Sequence, residues 1–239
     1  MSFPAACCNT PPVKANYAAK GHKGAIGDMA CYFAGPADSK RAILVNYDVF
    51  GYHANVEQLC DILGDLGYRV ALPDLLRGSP LTESDLGKPG VFAQFKDTRG
   101  SWASNKPVYQ AAIGQLRADG AESVGLLGFC WGGHLVVSAL TELDGVAGGA
   151  IVHPALIADG DLAKVNAPLL AIPSKDEPDF QADFDGLRAK GFFPKCRMVR
   201  FDDMFHGFCG ARGDWSDEVQ ARRANDAIAL IVKFFADTV

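Results

Sequence analysis

Two rhythms alternate along this chain. Short β-rich runs, most of them apolar nearly throughout, occupy residues 42–47, 69–73, 124–129, 146–152, 169–173 and 197–201. Between them, apolar residues recur at helical spacing, as in residues 52–66, where Val56, Leu59, Ile62, Leu63 and Leu66 share one face. A strand that is apolar throughout is buried on both faces, which requires helices on both sides of its sheet. Strand–helix alternation of this kind specifies an α/β fold with a mainly parallel, doubly wound sheet. A helix is expected over residues 132–143, and a closing one over residues 216–235, with Val219, Ile228, Ile231, Val232 and Phe235 on its packed face.

The rhythm fails in two places. Residues 1–28 carry turn formers and no clear period, so they read as an irregular arm holding at most one edge strand, ahead of a single domain over residues 29–239. Residues 78–106 are rich in Gly, Pro, Ser and Thr but include Phe92 and Phe95, the pattern of an excursion over the top of the sheet.

Composition narrows the class of function. The 239 residues are 49% hydrophobic and 21% charged, with a formal net charge of −5. That balance provides a core and gives no basic footprint for nucleic acid or an anionic membrane. No signal peptide or bilayer-length apolar run is visible. Seven cysteines, an odd number, are scattered apart from Cys7-Cys8. This argues against a disulfide framework and for the reducing cytosol, and no Cys or His spacing suits a metal.

The chemistry concentrates in Gly128-Phe129-Cys130-Trp131-Gly132-Gly133, which joins a buried strand directly to a helix. This is the nucleophile-elbow pattern, Gly-x-nucleophile-x-Gly, with Cys as nucleophile. Glycines let the backbone fold back tightly, and the helix N-terminus favours a thiolate. The N–H of Trp131 would face a developing oxyanion. A buried core cysteine beside a tight turn is the plainer reading of the same residues.

A nucleophile so placed calls for an acid after a later strand and then a histidine after the last. Asp176 follows the run at 169–173, and His206 follows the run at 197–201. Asp176 is the preferred acid, with Glu177 and Asp179 beside it and Asp202 and Asp203 just before the histidine as competitors. Of the other histidines, His22 lies in the arm, His53 opens a helix and His134 sits within one. His153, at a strand end before Pro154, is the nearest rival to His206.

These segments resemble the dienelactone hydrolase (carboxymethylenebutenolidase) family of the α/β-hydrolase fold. The resemblance covers about residues 24–235 and rests on Asp48-Val49-Phe50-Gly51, Pro73-Asp74-Leu75, the Cys elbow and His206-Gly207-Phe208. It implies a Cys130–Asp176–His206 triad and an oxyanion hole formed by the N–H groups of Val49 and Trp131. Where the family carries a glutamate that contacts the thiol, this chain has Asp48, which could modulate Cys130 or simply cap the next turn. The family's substrate-binding arginines match loosely: Arg77 falls near one, and Gly210 occupies the place of another, with Arg212 two residues on. Phe50, Phe205 and Phe208, with Trp131 and Phe92, are further substrate-binding candidates and suit a flat apolar molecule, though each could equally be core.

The expectation is a cofactor-free, metal-free hydrolase of a lactone or activated ester, monomeric or homodimeric, acting on a small molecule. A biosynthetic lyase, cyclase or thioesterase on the same fold is the first alternative. A non-catalytic binding protein is the second.

Overall fold

The computed structural model describes residues 10–239. Eight strands form one sheet in the order β1-β2-β4-β3-β5-β6-β7-β8. They are β1 (His22–Ile26), β2 (Met29–Ala34), β3 (Arg41–Asn46), β4 (Arg69–Pro73), β5 (Ser123–Phe129), β6 (Gly148–Val152), β7 (Leu169–Ile172) and β8 (Arg197–Met198). From β4 to β8 all pairings are parallel, and β3 to β7 are buried almost end to end, as their apolar runs require. The helices are α1 (Ala54–Asp65), α2 (Val91–Asp97), α3 (Trp102–Ala118), α4 (Trp131–Glu142), α5 (Gln181–Gly186) and α6 (Glu218–Thr238).

The sequence pattern left several elements out, β2 among them. The edge strand allowed within residues 1–28 is β1: it forms an antiparallel hairpin with β2, which in turn pairs antiparallel with β4. Four of its five residues are exposed, so it has no apolar run to announce it. The excursion at residues 78–106 contains the whole of α2 and the start of α3. Helix α3 carries Pro107 near its first turn and only sparse buried positions (Asn105, Tyr109, Ala112, Ile113, Leu116), which hides its period. The last strand is shorter than its run: β8 ends at Met198, and Phe201 joins Ser174 by a single bridge.

The segment before β1 lies along the molecule. Val13 donates to the Ala211 carbonyl and accepts from the His53 ring, while Tyr17 and the Lys20 N–H both reach Asp61 on α1. Cys7 and Cys8 lie outside the described residues.

The centre of the sheet fixes the site. Strand β5 lies between β3 and β6, and its C-terminal end, with theirs, opens on one edge. Open α/β sheets bind ligands at that edge. Helix α4 packs so closely under β3 that a Cβ on Gly132 would sit 2.5 Å from the Asn46 oxygen, and one on Gly128 would sit 2.3 Å from the Gly132 oxygen. Both obstacles are backbone and cannot swing away. Gly128→Ala is therefore expected to lower unfolding stability in urea by about 3 kcal/mol or more. Gly191→Ala, at a glycine whose added Cβ meets nothing within 4 Å, should stay within about 0.5 kcal/mol of the parent.

Candidate active site

Cys130 is the junction between β5 and α4. Its φ of 52° and ψ of −116° lie where a side-chain-bearing residue is strained, at a typical cost of about 1–3 kcal/mol. The surroundings hold it there: Cys130 N–H donates to the Val152 carbonyl (3.1 Å), and its own carbonyl accepts from Gly133 (3.0 Å) and Ala155 (2.9 Å). The Trp131 side chain is locked below, its indole N–H on the Gly100 carbonyl at 2.7 Å and its ring edge-on to Phe95. As the first residue of α4, Trp131 has a backbone N–H that the helix cannot pair. Val49 sits in the turn after β3, beside the elbow, because Asn46 is registered against Gly128. Its carbonyl is tied to Leu81 N–H.

His206 approaches from the loop after β8 and is fully buried. Its Nδ1 lies 2.6 Å from Glu177 Oε1, and both side chains are sealed from solvent. With Nδ1 taken, Nε2 is left for the thiol. Burial by itself would lower the imidazole pKa, but the opposing charges of Cys130 and Glu177, each with a hydrogen bond, hold it up at about 9. The imidazole is thus held towards its protonated form beside the Cys130 thiol.

The geometry corrects the expected acid. Asp176 does not face the imidazole; its Oδ2 accepts the His206 backbone N–H at 2.8 Å. Glu177 holds the ring instead, and its second oxygen accepts from Ser174 N–H. The longer glutamate arm reaches inward from a turn whose preceding residue points along the loop. Arg200, which the sequence did not single out, ties this turn down by donating to the carbonyls of Ser174, Glu177 and Pro178. The remaining acidic competitors are engaged elsewhere: Asp179 accepts from Gln181 N–H, Asp202 pairs with Arg200, and Asp203 pairs with Arg223.

Asp48 is a brace. Its Oδ1 accepts from Phe50 N–H (2.9 Å) and its Oδ2 from Ala211 N–H (3.1 Å), joining the turn after β3 to the histidine loop. Of the proposed substrate arginines, Arg77 stands apart: its side chain is 57% exposed and ion-paired with Asp28 in the β1–β2 turn. Arg212 is buried, its guanidinium 4.6 Å over the Phe50 ring and its Nε donating to the Thr10 carbonyl. Phe208 is core, stacked on Phe201, while Phe205 is only partly buried. Phe92, buried on α2, packs in the same core. His22 stacks on Phe33, His53 caps α1, and burial lowers the pKa of His134.

A groove of 760 Å³ borders the cluster, lined by Pro154, Ala155, Leu156, Glu177 and Phe180, with Asp159 and Asp176 on its walls. It shares Ala155 with the elbow and Glu177 with the histidine.

A nucleophile on a strained strand-to-helix turn, followed by an acid and a histidine at later strand ends, defines the α/β-hydrolase class. The model of the dienelactone hydrolase family matches residues 29–239, and the chain belongs to that family. An uncharacterised AIM2 family protein of Schizosaccharomyces pombe is 30% identical over 97% of this chain and 98% of its own length. Hydrolase tropI of Talaromyces stipitatus is 25% identical over 98% and 96%. A solved chain of dienelactone hydrolase type from Klebsiella pneumoniae superposes with a TM-score of 0.73 at 19% identity, covering 92% of this chain and 99% of that one.

The two carboxylates separate by mutation. Glu177→Gln should cut kcat by about 10²–10⁴-fold, as loss of a triad acid does, whereas Asp176→Asn, which weakens one backbone hydrogen bond, should cost about 10-fold or less. Steady-state kinetics on an aryl ester with both variants checks the assignment, and the reverse ranking would restore Asp176.

Proposed function

We propose that the protein hydrolyses a lactone or activated ester through a covalent acyl–Cys130 intermediate. The observation that carries this reading is the sealed His206 imidazole, held between Glu177 and the thiol at the end of β5. The Cys130 thiolate attacks the carbonyl carbon, and the N–H groups of Val49 and Trp131 receive the oxyanion. The imidazolium then gives its proton to the departing oxygen. Acylation removes the negative charge of Cys130, so His206 loses the strongest influence raising its pKa and becomes the neutral base that activates water. Glu177 keeps the ring in one tautomer throughout.

The bordering groove supports a substrate class. Its lining mixes apolar side chains such as Pro154, Leu156 and Phe180 with the carboxylates of Asp159 and Asp176, which repel anions. Arg212 is committed to the Phe50 ring and the Thr10 carbonyl, and Arg77 to Asp28. A neutral, flat lactone or aryl ester therefore fits better than a carboxylate-bearing dienelactone. The name of the relative Hydrolase tropI agrees with hydrolysis as the reaction type.

Cys130→Ala should lose at least about 10³-fold in kcat, and the product should carry the mass of one added water. Unchanged turnover by this variant would refute covalent catalysis, and a product without added water would favour cyclase or lyase chemistry. The raised His206 pKa also fixes a pH window. The imidazolium is favoured in the folded state, so its contribution to stability is complete below the unfolded value near 6.5 and disappears as pH rises through about 9. On an alkyl ester, whose leaving group needs that proton, kcat/KM should fall through the same range. Iodoacetamide labelling of Cys130, which needs only the thiolate, should not fall with it.

A further inference from the structure

His153 is a second buried histidine that the scheme above leaves without a task. It follows β6 directly, and the backbone around it grips the nucleophile: Val152 carbonyl accepts from Cys130 N–H, and Ala155 N–H donates to the Cys130 carbonyl. Its ring stands edge-on to His206, with centroids 5.2 Å apart at 69°, and is flanked by Phe129 and Phe208, each at 5.8 Å. A Cβ built on Gly210 would lie 3.5 Å from His153 Nε2 and 3.2 Å from Asp48 Oδ2, so the edge of the ring faces the histidine loop close to the Asp48 carboxylate.

Two features make its chemistry expensive to keep. His153 is fully buried, and neither ring nitrogen has a hydrogen-bond partner among the described residues. A buried polar group left unpaired costs about 1–3 kcal/mol, and a phenylalanine would fill this aromatic nest without that cost. The backbone is strained as well, with φ at 38° on a residue that precedes proline. Burial, then the charges of His206 and Arg212, push its pKa well below the ordinary histidine value, so the ring is neutral and offers one donor and one acceptor. His206 Nε2 likewise meets no protein nitrogen or oxygen. A buried water needs two to four polar partners, and these two rings meet edge-on, 5.2 Å apart, beside the strand end whose backbone grips Cys130.

We propose that His153 is a second catalytic histidine, whose ring nitrogen holds, beside His206, the water that removes the acyl group from Cys130. The inference rests on the acyl–Cys130 reading. In this step the water oxygen bonds to the thioester carbonyl carbon and one water proton passes to His206 Nε2. The other O–H stays hydrogen-bonded to the acceptor nitrogen of His153, which takes no proton. Collapse of the tetrahedral species breaks the C–S bond, releases the acid and returns Cys130 as thiolate beside an imidazolium. His153 acts only after acylation.

The test uses the full chain with p-nitrophenyl acetate, comparing His153→Phe, His153→Gln and Cys130→Ala by stopped flow and intact-mass spectrometry, with folding checked by circular dichroism. In His153→Phe the burst should keep its amplitude, kcat should fall about 10–100-fold, the worth of one hydrogen bond to a reacting group, and kcat/KM should hold within about twofold, because it reports only the steps through acylation. Acetylated Cys130 should accumulate, and His153→Gln, which restores a polar atom, should recover part of kcat. Wild-type kcat in a folded His153→Phe overturns the inference, as does an equal fall in kcat and kcat/KM. If the phenylalanine variant does not fold, His153→Leu is read by the same criteria, and failure of both to fold, with His153→Gln at wild-type kcat/KM and kcat, overturns it in favour of a structural role. Wild-type turnover by Cys130→Ala would end the covalent reading itself, an outcome distinct from failure of His153 alone.

Discussion

Everything about the site depends on one backbone constraint: β5 must become α4 within a single residue. Cys130 takes the strained conformation, and the cost is met by hydrogen bonds from β6 and by two glycines that let the helix press against β3 and its own strand. Because the strand is central, the turn emerges at the sheet's C-terminal edge, where the loops after β3, β6, β7 and β8 converge. The residues of this cluster come from segments up to 158 residues apart in sequence (Asp48 and His206), yet each follows a strand of the same sheet.

The second determinant is dryness. His206, Glu177, Cys130 and Asp48 all have their side chains out of reach of solvent. In so low a dielectric, opposite charges hold one another strongly, and an isolated one would neutralise itself. Cys130, His206 and Glu177 therefore form one unit in which no member sets its protonation state alone. The brace made by Asp48 matters for the same reason: it ties the oxyanion turn to the loop of His206 without adding an exposed charge.

Legibility in the sequence followed how strongly each feature depends on short-range pattern. The central strands, the elbow and His206 were readable because continuous apolar runs and a Gly-x-Cys-x-Gly turn leave few alternatives. Strand β1 was obscured because an exposed edge strand has no hydrophobic signature, and α3 because Pro107 and polar interruptions blur its period. The choice between Asp176 and Glu177 was not readable at all. Two adjacent carboxylates differ by where the turn aims them, and that is set by Ser174 within the turn and by Arg200 and His206 from across the fold. Arg77 was misplaced for a similar reason: proximity in sequence to β4 says nothing about the ion pair it makes with Asp28.

Burial also sorts the thiols of the molecule. Desolvation raises the pKa of Cys31 and Cys209 to about 12, lifts Cys60 well above its ordinary value, and pushes up Cys196. All of these are held as unreactive thiols. Cys130, equally buried, lies against the His206 imidazole, whose pKa it helps to raise. The consequence is redox selectivity: an oxidant small enough to enter the closed site meets one nucleophilic sulfur, while bulkier oxidants meet none of these five. Among the described thiols, peroxide damage would then register first as a sulfenic acid at Cys130, a lesion that would remove the proposed nucleophile while leaving the other four buried thiols intact.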